Sequence, residues 1–136
     1  ISALIVLLDI FVGHFLAPNG ITNLPLALII ITVLILFFTK YNIYYQCLII
    51  ALLFFTIDIA LKLYAGGTHD YEGQDFYTLF YFVGAIPSLG LIFFRVIKNT
   101  EINKVSKVLI ILAFLIFLYC QNVFLGNLGY GKSYPM

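Results

Sequence analysis

Long apolar runs separated by short polar clusters dominate the chain, and their lengths define its elements. Residues 1–17 form the first run, closed by Ala17-Pro18-Asn19-Gly20, a turn cluster that breaks a helix. Residues 23–39 form the second, almost wholly Leu, Ile, Val and Phe, with Asn23 placed to cap it and Pro25 in its first turn, where no backbone donor is needed. Its lack of ionisable groups gives it a lipid-facing or scaffold role. The third covers 43–64, with Tyr44 and Tyr45 marking the interface at its start. A polar connection, 65–75, leads to the fourth run at 76–97. A basic connection, with Asn99, Thr100 or Asn103 available as a cap, leads to the fifth at 104–125. The tail, 126–136, is glycine-rich and expected to be irregular.

A helix needs about 20 apolar residues to cross a hydrocarbon core of about 30 Å. The pattern therefore predicts an all-α integral membrane protein, a single polytopic domain of about five transmembrane helices. Short connections make neighbours antiparallel, so the helices form an antiparallel bundle. Pro87 removes one helical hydrogen bond and predicts a kink in the fourth helix. In the same segment Gly84 and Ser88 form a small-xxx-small pair that permits close helix packing, and Gly90 follows them. The first run is short: at 1.5 Å per residue it spans about 25 Å. With Ile1 standing where an initiator methionine is expected, this predicts that the native N-terminus lies upstream.

Composition agrees with that class. Apolar residues make up 63% of the chain and charged residues 10%, where soluble domains carry about a quarter charged residues. The mean hydropathy is +1.10. Trp is absent, so interfacial anchoring falls to the ten tyrosines. The bias toward Ile, Phe, Asn, Lys and Tyr suits an AT-rich genome and points to a bacterial inner membrane. Cys47 and Cys120 lie in apolar runs without C-x-x-C spacing and read as packing residues. A net charge of +1 sets nucleic acid aside as a partner; the lipid bilayer is the first partner the composition demands.

Charge placement sets the orientation. Arg95, Lys98, Lys104 and Lys107 flank the fourth-to-fifth connection against the single acid Glu101, which places that edge in the cytoplasm. Lys40 falls on the same side, and the loops at Pro18-Asn19-Gly20 and 65–75 face outward. Lys62 and Lys132 run against the rule, although Asp58 one turn earlier offsets Lys62.

This topology gathers rare polar groups in the outer half of the bundle: Asp9, His14, Asp58 and Lys62. Asp9 and Asp58 lie eight and seven residues from the outer ends of their runs, which is about 10 to 12 Å by helical rise. A charge near the bilayer centre costs at least ~2.5 to 3.5 kcal/mol, so both carboxyls are expected to face protein or water. Asp58 and Lys62 share a face at i, i+4 and read first as an ion pair with the lysine reaching for the outer surface. Asp9 either bonds a neighbouring polar side chain or serves a function. His14, about 140° around the helix from Asp9, reads as a hydrogen-bonded packing residue. Gln121 and Asn122 are placed to hydrogen-bond across helices.

The outer loop offers His69, Asp70, Glu72 and Asp75. Their spacing matches neither the twelve-residue calcium loop nor a zinc pair, so no metal is assigned and the group reads as a surface. The glycines of that loop do not form a phosphate-binding loop, and no cofactor site is found. There is no G-x-S-x-G, no H-E-x-x-H and no Cys/His nucleophile pair, so no catalytic residue is assigned and enzyme chemistry lacks a positive signal.

Three functions fit. The first is an accessory, sensor or assembly subunit of a membrane complex, packing with other membrane subunits, or as a homo-oligomer, through the fourth helix. The second is a small oligomeric ion, proton or solute transporter using Asp9 and Asp58. The third is part of a membrane enzyme acting on a lipid-linked substrate at the outer leaflet. The first is preferred, because five spans in 136 residues leave almost no extramembrane domain for catalysis.

Overall fold

A computed structural model of the chain describes residues 1–16, 19–64 and 70–130. These residues form five α-helices and no strand: α1 (Ser2–Phe15), α2 (Asn19–Phe38), α3 (Ile43–Tyr64), α4 (Tyr71–Lys98) and α5 (Lys104–Leu125). Helices α2 to α5, of 20, 22, 28 and 22 residues, are long and apolar enough to cross a membrane. The 14 residues of α1 reach about 21 Å, short of a hydrocarbon core of about 30 Å.

Helix α2 is the centre of the bundle, touching α1, α3 and α4. Ile21, Leu24, Leu28, Ile31 and Leu36 along it are fully enclosed, so of the two roles its composition allowed, it takes that of scaffold. It also begins earlier than its apolar run. Asn19 is its first residue, Asn23 lies within it, and Pro25 stands one turn further in than a first-turn proline. The Thr22 hydroxyl bonds the Asn19 carbonyl at 3.0 Å, using a side chain to satisfy the irregular start.

Lipid tails are as apolar as leucine, so helices in a membrane associate through close packing and interhelical hydrogen bonds. Two glycines supply the close packing. Gly20 lies so near Gly13 of α1 that a Cβ there would overlap the Gly13 backbone. Gly84 of α4 lies against Pro25 of α2, where a Cβ would stand 2.6 Å from the Pro25 Cα and 3.1 Å from the Leu28 Cδ1. Buried Ser88 follows one turn on. The Gly84 and Ser88 face is thus occupied by this chain's own α2. Pro87 and Gly90 are exposed, and Gly90 has nothing within 4 Å of a built Cβ. The helix runs on through Pro87 to Lys98.

Helix α4 begins at Tyr71, five residues before the apolar run that announced it, so 71–75 is helix and not loop. Asp70 is its N-cap and accepts from the Gly73 N–H at 2.7 Å. Asn103 caps α5 in the same way through the Ser106 N–H at 2.7 Å, and Asn42 caps α3 through the Tyr45 N–H at 3.1 Å. Helix α5 is the least enclosed. It buries a single line, Phe114, Leu118 and Gln121, against α3 and α4, and shows the rest of its apolar surface outward. Both cysteines are free thiols, Cys47 buried and Cys120 partly so.

Candidate functional site

Every helix buries at least one polar side chain; Thr32 of α2 is satisfied within its own helix, donating to the Leu28 carbonyl at 2.8 Å. On α4 the spacing Gln74, Tyr77, Tyr81, Ser88 keeps one polar line on the buried face of an otherwise apolar helix. On α3 Asp58 and Lys62 stand one turn apart and both are buried. Helix α5 contributes Gln121 and the carbonyls at its C-terminal end, and α1 contributes buried Asp9, with exposed His14 near its end.

Asp58 is the hub. Its Oδ1 meets the Lys62 ammonium at 2.8 Å and accepts from the Tyr77 hydroxyl at 2.6 Å. The carboxyl is 1% exposed, and its second oxygen, Oδ2, has no hydrogen-bond partner among the described residues. Lys62 also donates to the Leu125 carbonyl at 2.9 Å and lies 5.2 Å from the Tyr77 ring centre. The ammonium thereby neutralises both a carboxylate and the negative end of α5, where the last carbonyls have no intrahelical partner. Lysine does not need to reach the outer surface to be satisfied; the protein brings the acceptors to it.

The rest of the line ties the same helices. Gln74 donates to the Gly126 carbonyl, Tyr81 donates to the Gln121 Oε1 at 3.1 Å, and the Gln121 Nε2 donates to the Phe54 carbonyl at 3.4 Å. Tyr77 and Tyr81 stack with ring centres 6.2 Å apart. Each bond joins α4 or α3 to α5, the helix with the thinnest apolar contact, so hydrogen bonding does there what close packing does between α1, α2 and α4.

Asp9 stands apart from this network. It is 6% exposed, and its Oδ2 is buried without a partner. It lines a groove of about 210 Å³ between α1 and α2, whose walls are Ile5, Leu8, Val12, Leu26 and Ile30, with Asn23 as the other polar group. His14 is exposed, and its Nδ1 lies 3.2 Å from the Tyr64 carbonyl. Because a carbonyl can only accept, that imidazole nitrogen carries the proton. The contact fastens the end of α1 to the end of α3. Of the four residues expected in the outer half, the structure joins Asp58 to Lys62 directly, and Asp9 and His14 each sit at separate places on α1.

Of the loop acids, Asp70 is the cap of α4, while Glu72 and Asp75 lie exposed in its first turns, where negative charge suits the helix dipole. His69 lies outside the described residues. Among the described residues no three His, Cys, Asp or Glu side chains gather as a metal site. At the other end of the bundle, Arg95 lies 6.0 Å from the Phe37 ring centre and Lys98 4.4 Å from that of Phe94. Lys107 donates to the Ile97 carbonyl at 2.7 Å, and exposed Lys104 opens α5.

Sequence reasoning missed Tyr77, Tyr81 and Gln74. The available signal was their shared helical face within an apolar run. No protein-family model, curated protein or solved structure matches this chain.

Proposed function

We propose that the chain is a membrane-embedded subunit of a larger complex, one of five antiparallel spans in a bacterial inner membrane, and that it receives a helix of another membrane subunit in the α1–α2 groove. The observation that carries this reading is the buried Asp9 carboxyl, which lines a groove open to the outside of the bundle and keeps its Oδ2 without a partner. Asp58 is paired inside the chain with Lys62 and Tyr77. Asp9 lacks such a partner. A helix bringing a hydrogen-bond donor to its depth, from Asn, Gln, Ser, Thr, Lys or Arg, removes the penalty of a bare carboxyl in hydrocarbon while its apolar residues fill the groove.

The test uses the assembly extracted from its native membrane in mild detergent. A photoreactive side chain at Leu26, on the groove wall, is expected to cross-link another chain, while one at Leu112 on the exposed face of α5 labels lipid. Asp9→Leu is expected to release the partner in native mass measurement with the thermal stability of the chain retained. A complex unaffected by Asp9→Leu sinks the proposal, and a partner of the chain's own mass replaces the other subunit with a homo-oligomer.

A second reading, a small oligomeric ion or proton transporter, is favoured by one observation. Asp9 and Asp58 each keep a buried, unpartnered carboxyl oxygen. It requires proton flux in proteoliposomes that Asp9→Asn and Asp58→Asn each abolish. Flux at the original rate in both variants rejects it.

A further inference from the structure

The opposite end of the bundle from Lys62 holds a recess of about 340 Å³, a size within the range of small-ligand sites, about 300 to 1,000 Å³. Four pieces of chain converge on it: the end of α2 with Thr39 and Lys40, the start of α3 with Gln46, the end of α4 with Arg95 and Lys98, and the link that follows with Asn99, Thr100 and Glu101. We infer that this recess binds a phosphate-bearing anion, in the first place the headgroup of an anionic phospholipid.

Three cations, Lys40, Arg95 and Lys98, line it against one carboxylate, Glu101. Among the described residues none of the three forms an ion pair; Asp58 with Lys62 is the ion pair found there. Arg95 and Lys98 rest against the aromatic rings of Phe37 and Phe94. That contact uses a π face and leaves N–H donors for an anion. Gln46, 1% exposed, forms a fixed part of the lining, because its Nε2 donates to both the carbonyl and the hydroxyl of Thr39 at 3.2 Å. Ile43, also in the lining, opens α3, whose leading N–H groups give that helix end a partial positive charge.

Cations at the ends of α2 and α4 also complement those helix dipoles. That explains why they are basic, but not why they surround a concave, polar, carboxylate-poor space. The exposed side chains of Phe38, Phe94 and Ile97 at the same end of the bundle offer acyl chains a surface beside the recess. A basic pocket between helix ends next to an apolar surface is the arrangement that holds a phospholipid headgroup.

Native mass titration of the full chain in detergent, with dioleoyl phosphatidic acid against dioleoyl phosphatidylcholine, tests the inference. Phosphatidic acid is expected to bind at least tenfold more tightly. Each recess cation is worth roughly fivefold, so Lys40→Gln lowers the affinity about fivefold and the Arg95→Gln, Lys98→Gln double variant roughly 25-fold. Lys104→Gln, at the same end but outside the recess, changes it less than twofold. Inorganic phosphate at millimolar concentration distinguishes the sources. If it displaces the lipid, the site takes the free anion as well; if it does not, the lipid headgroup is the ligand. Equal binding of the two lipids overturns the inference, and so does a loss in Lys104→Gln as large as in Lys40→Gln, which marks a diffuse basic surface. Unfolding midpoints in the same detergent confirm that each variant is folded, and Lys40→Gln, a single exposed change, carries the test if the double variant is not.

Discussion

The Tyr77 hydroxyl donates to the Asp58 Oδ1 at 2.6 Å, joining α4 to α3 at the oxygen that also receives Lys62. A hydrogen bond to an ionised group contributes about 1.5 to 3 kcal/mol in soluble proteins, and interhelical bonds in membranes average about 0.6 with a maximum near 1.7. Tyr77→Phe is therefore expected to destabilise the bundle by about 1 to 2 kcal/mol, measured by reversible unfolding in detergent. Asp58→Asn removes the carboxylate facing the buried Lys62 and is expected to cost more, about 3 to 5 kcal/mol. Asp58→Leu combined with Lys62→Met is expected to recover most of that loss. A double variant as unstable as Asp58→Asn shows that the loss comes from the bonds the pair makes to Tyr77 and the Leu125 carbonyl and not from an unpaired Lys62.

Three glycines form a graded series that separates backbone crowding from helix propensity. A Cβ on Gly20 meets the Gly13 backbone, which cannot rotate away; one on Gly84 meets both the Pro25 backbone and the Leu28 side chain; one on Gly90 meets nothing. Gly90→Ala is expected to be neutral or to stabilise by up to about 1 kcal/mol, the helix-propensity gain alone. Gly84→Ala and Gly20→Ala are expected to lose stability, Gly20→Ala the more, with the unfolding midpoint ordering Gly90→Ala, Gly84→Ala, Gly20→Ala from highest to lowest. A Gly20→Ala variant as stable as the parent contradicts the close crossing of α1 and α2.

Helix existence was legible because the hydrocarbon thickness fixes the length of an apolar run, and 43–64 and 104–125 coincide with α3 and α5. The start of α4 was not, because hydropathy marks where lipid begins and a helix begins at its cap. Tyr71 to Asp75 are polar enough to read as loop, yet Asp70 satisfies the first turn and the exposed acids favour it. Gly84 was recognisable as a packing glycine, but spacing within one helix cannot say that the partner is Pro25 of the same chain. Asp58 with Lys62 was readable from i, i+4 alone. Tyr77 was not, since a tyrosine in an apolar run reads as an interfacial anchor, and its partner lies 19 positions earlier on another helix. The unpartnered oxygen of Asp9 depends on what the two helices packed against α1 fail to offer it, and no local pattern carries that.

After α5 the chain turns back onto the end of α3, and Gly129 fixes how. It is the one described residue with positive φ, +89°, and a Cβ on it would overlap the Lys62 carbonyl oxygen. A side chain there meets both penalties: about 1 to 3 kcal/mol for the left-handed backbone and a collision with a backbone atom that the helix holds in place. The same turn is held by Lys62 on the Leu125 carbonyl, Gln74 on the Gly126 carbonyl, and the Tyr71 and Tyr130 rings 4.6 Å apart. Gly129→Ala is expected to lift residues 126–130 away from α3 without unfolding the bundle. Hydrogen exchange at 126–130 should then rise by an order of magnitude or more, as a loss of about 1.4 kcal/mol or greater requires, while α2 keeps its protection. Gln74→Leu, which removes one of the three ties without strain, is expected to raise exchange over the same residues by a smaller factor. If Gly129→Ala leaves 126–130 as protected as before, the turn is held by α5 alone and the docking onto Lys62 contributes nothing to it.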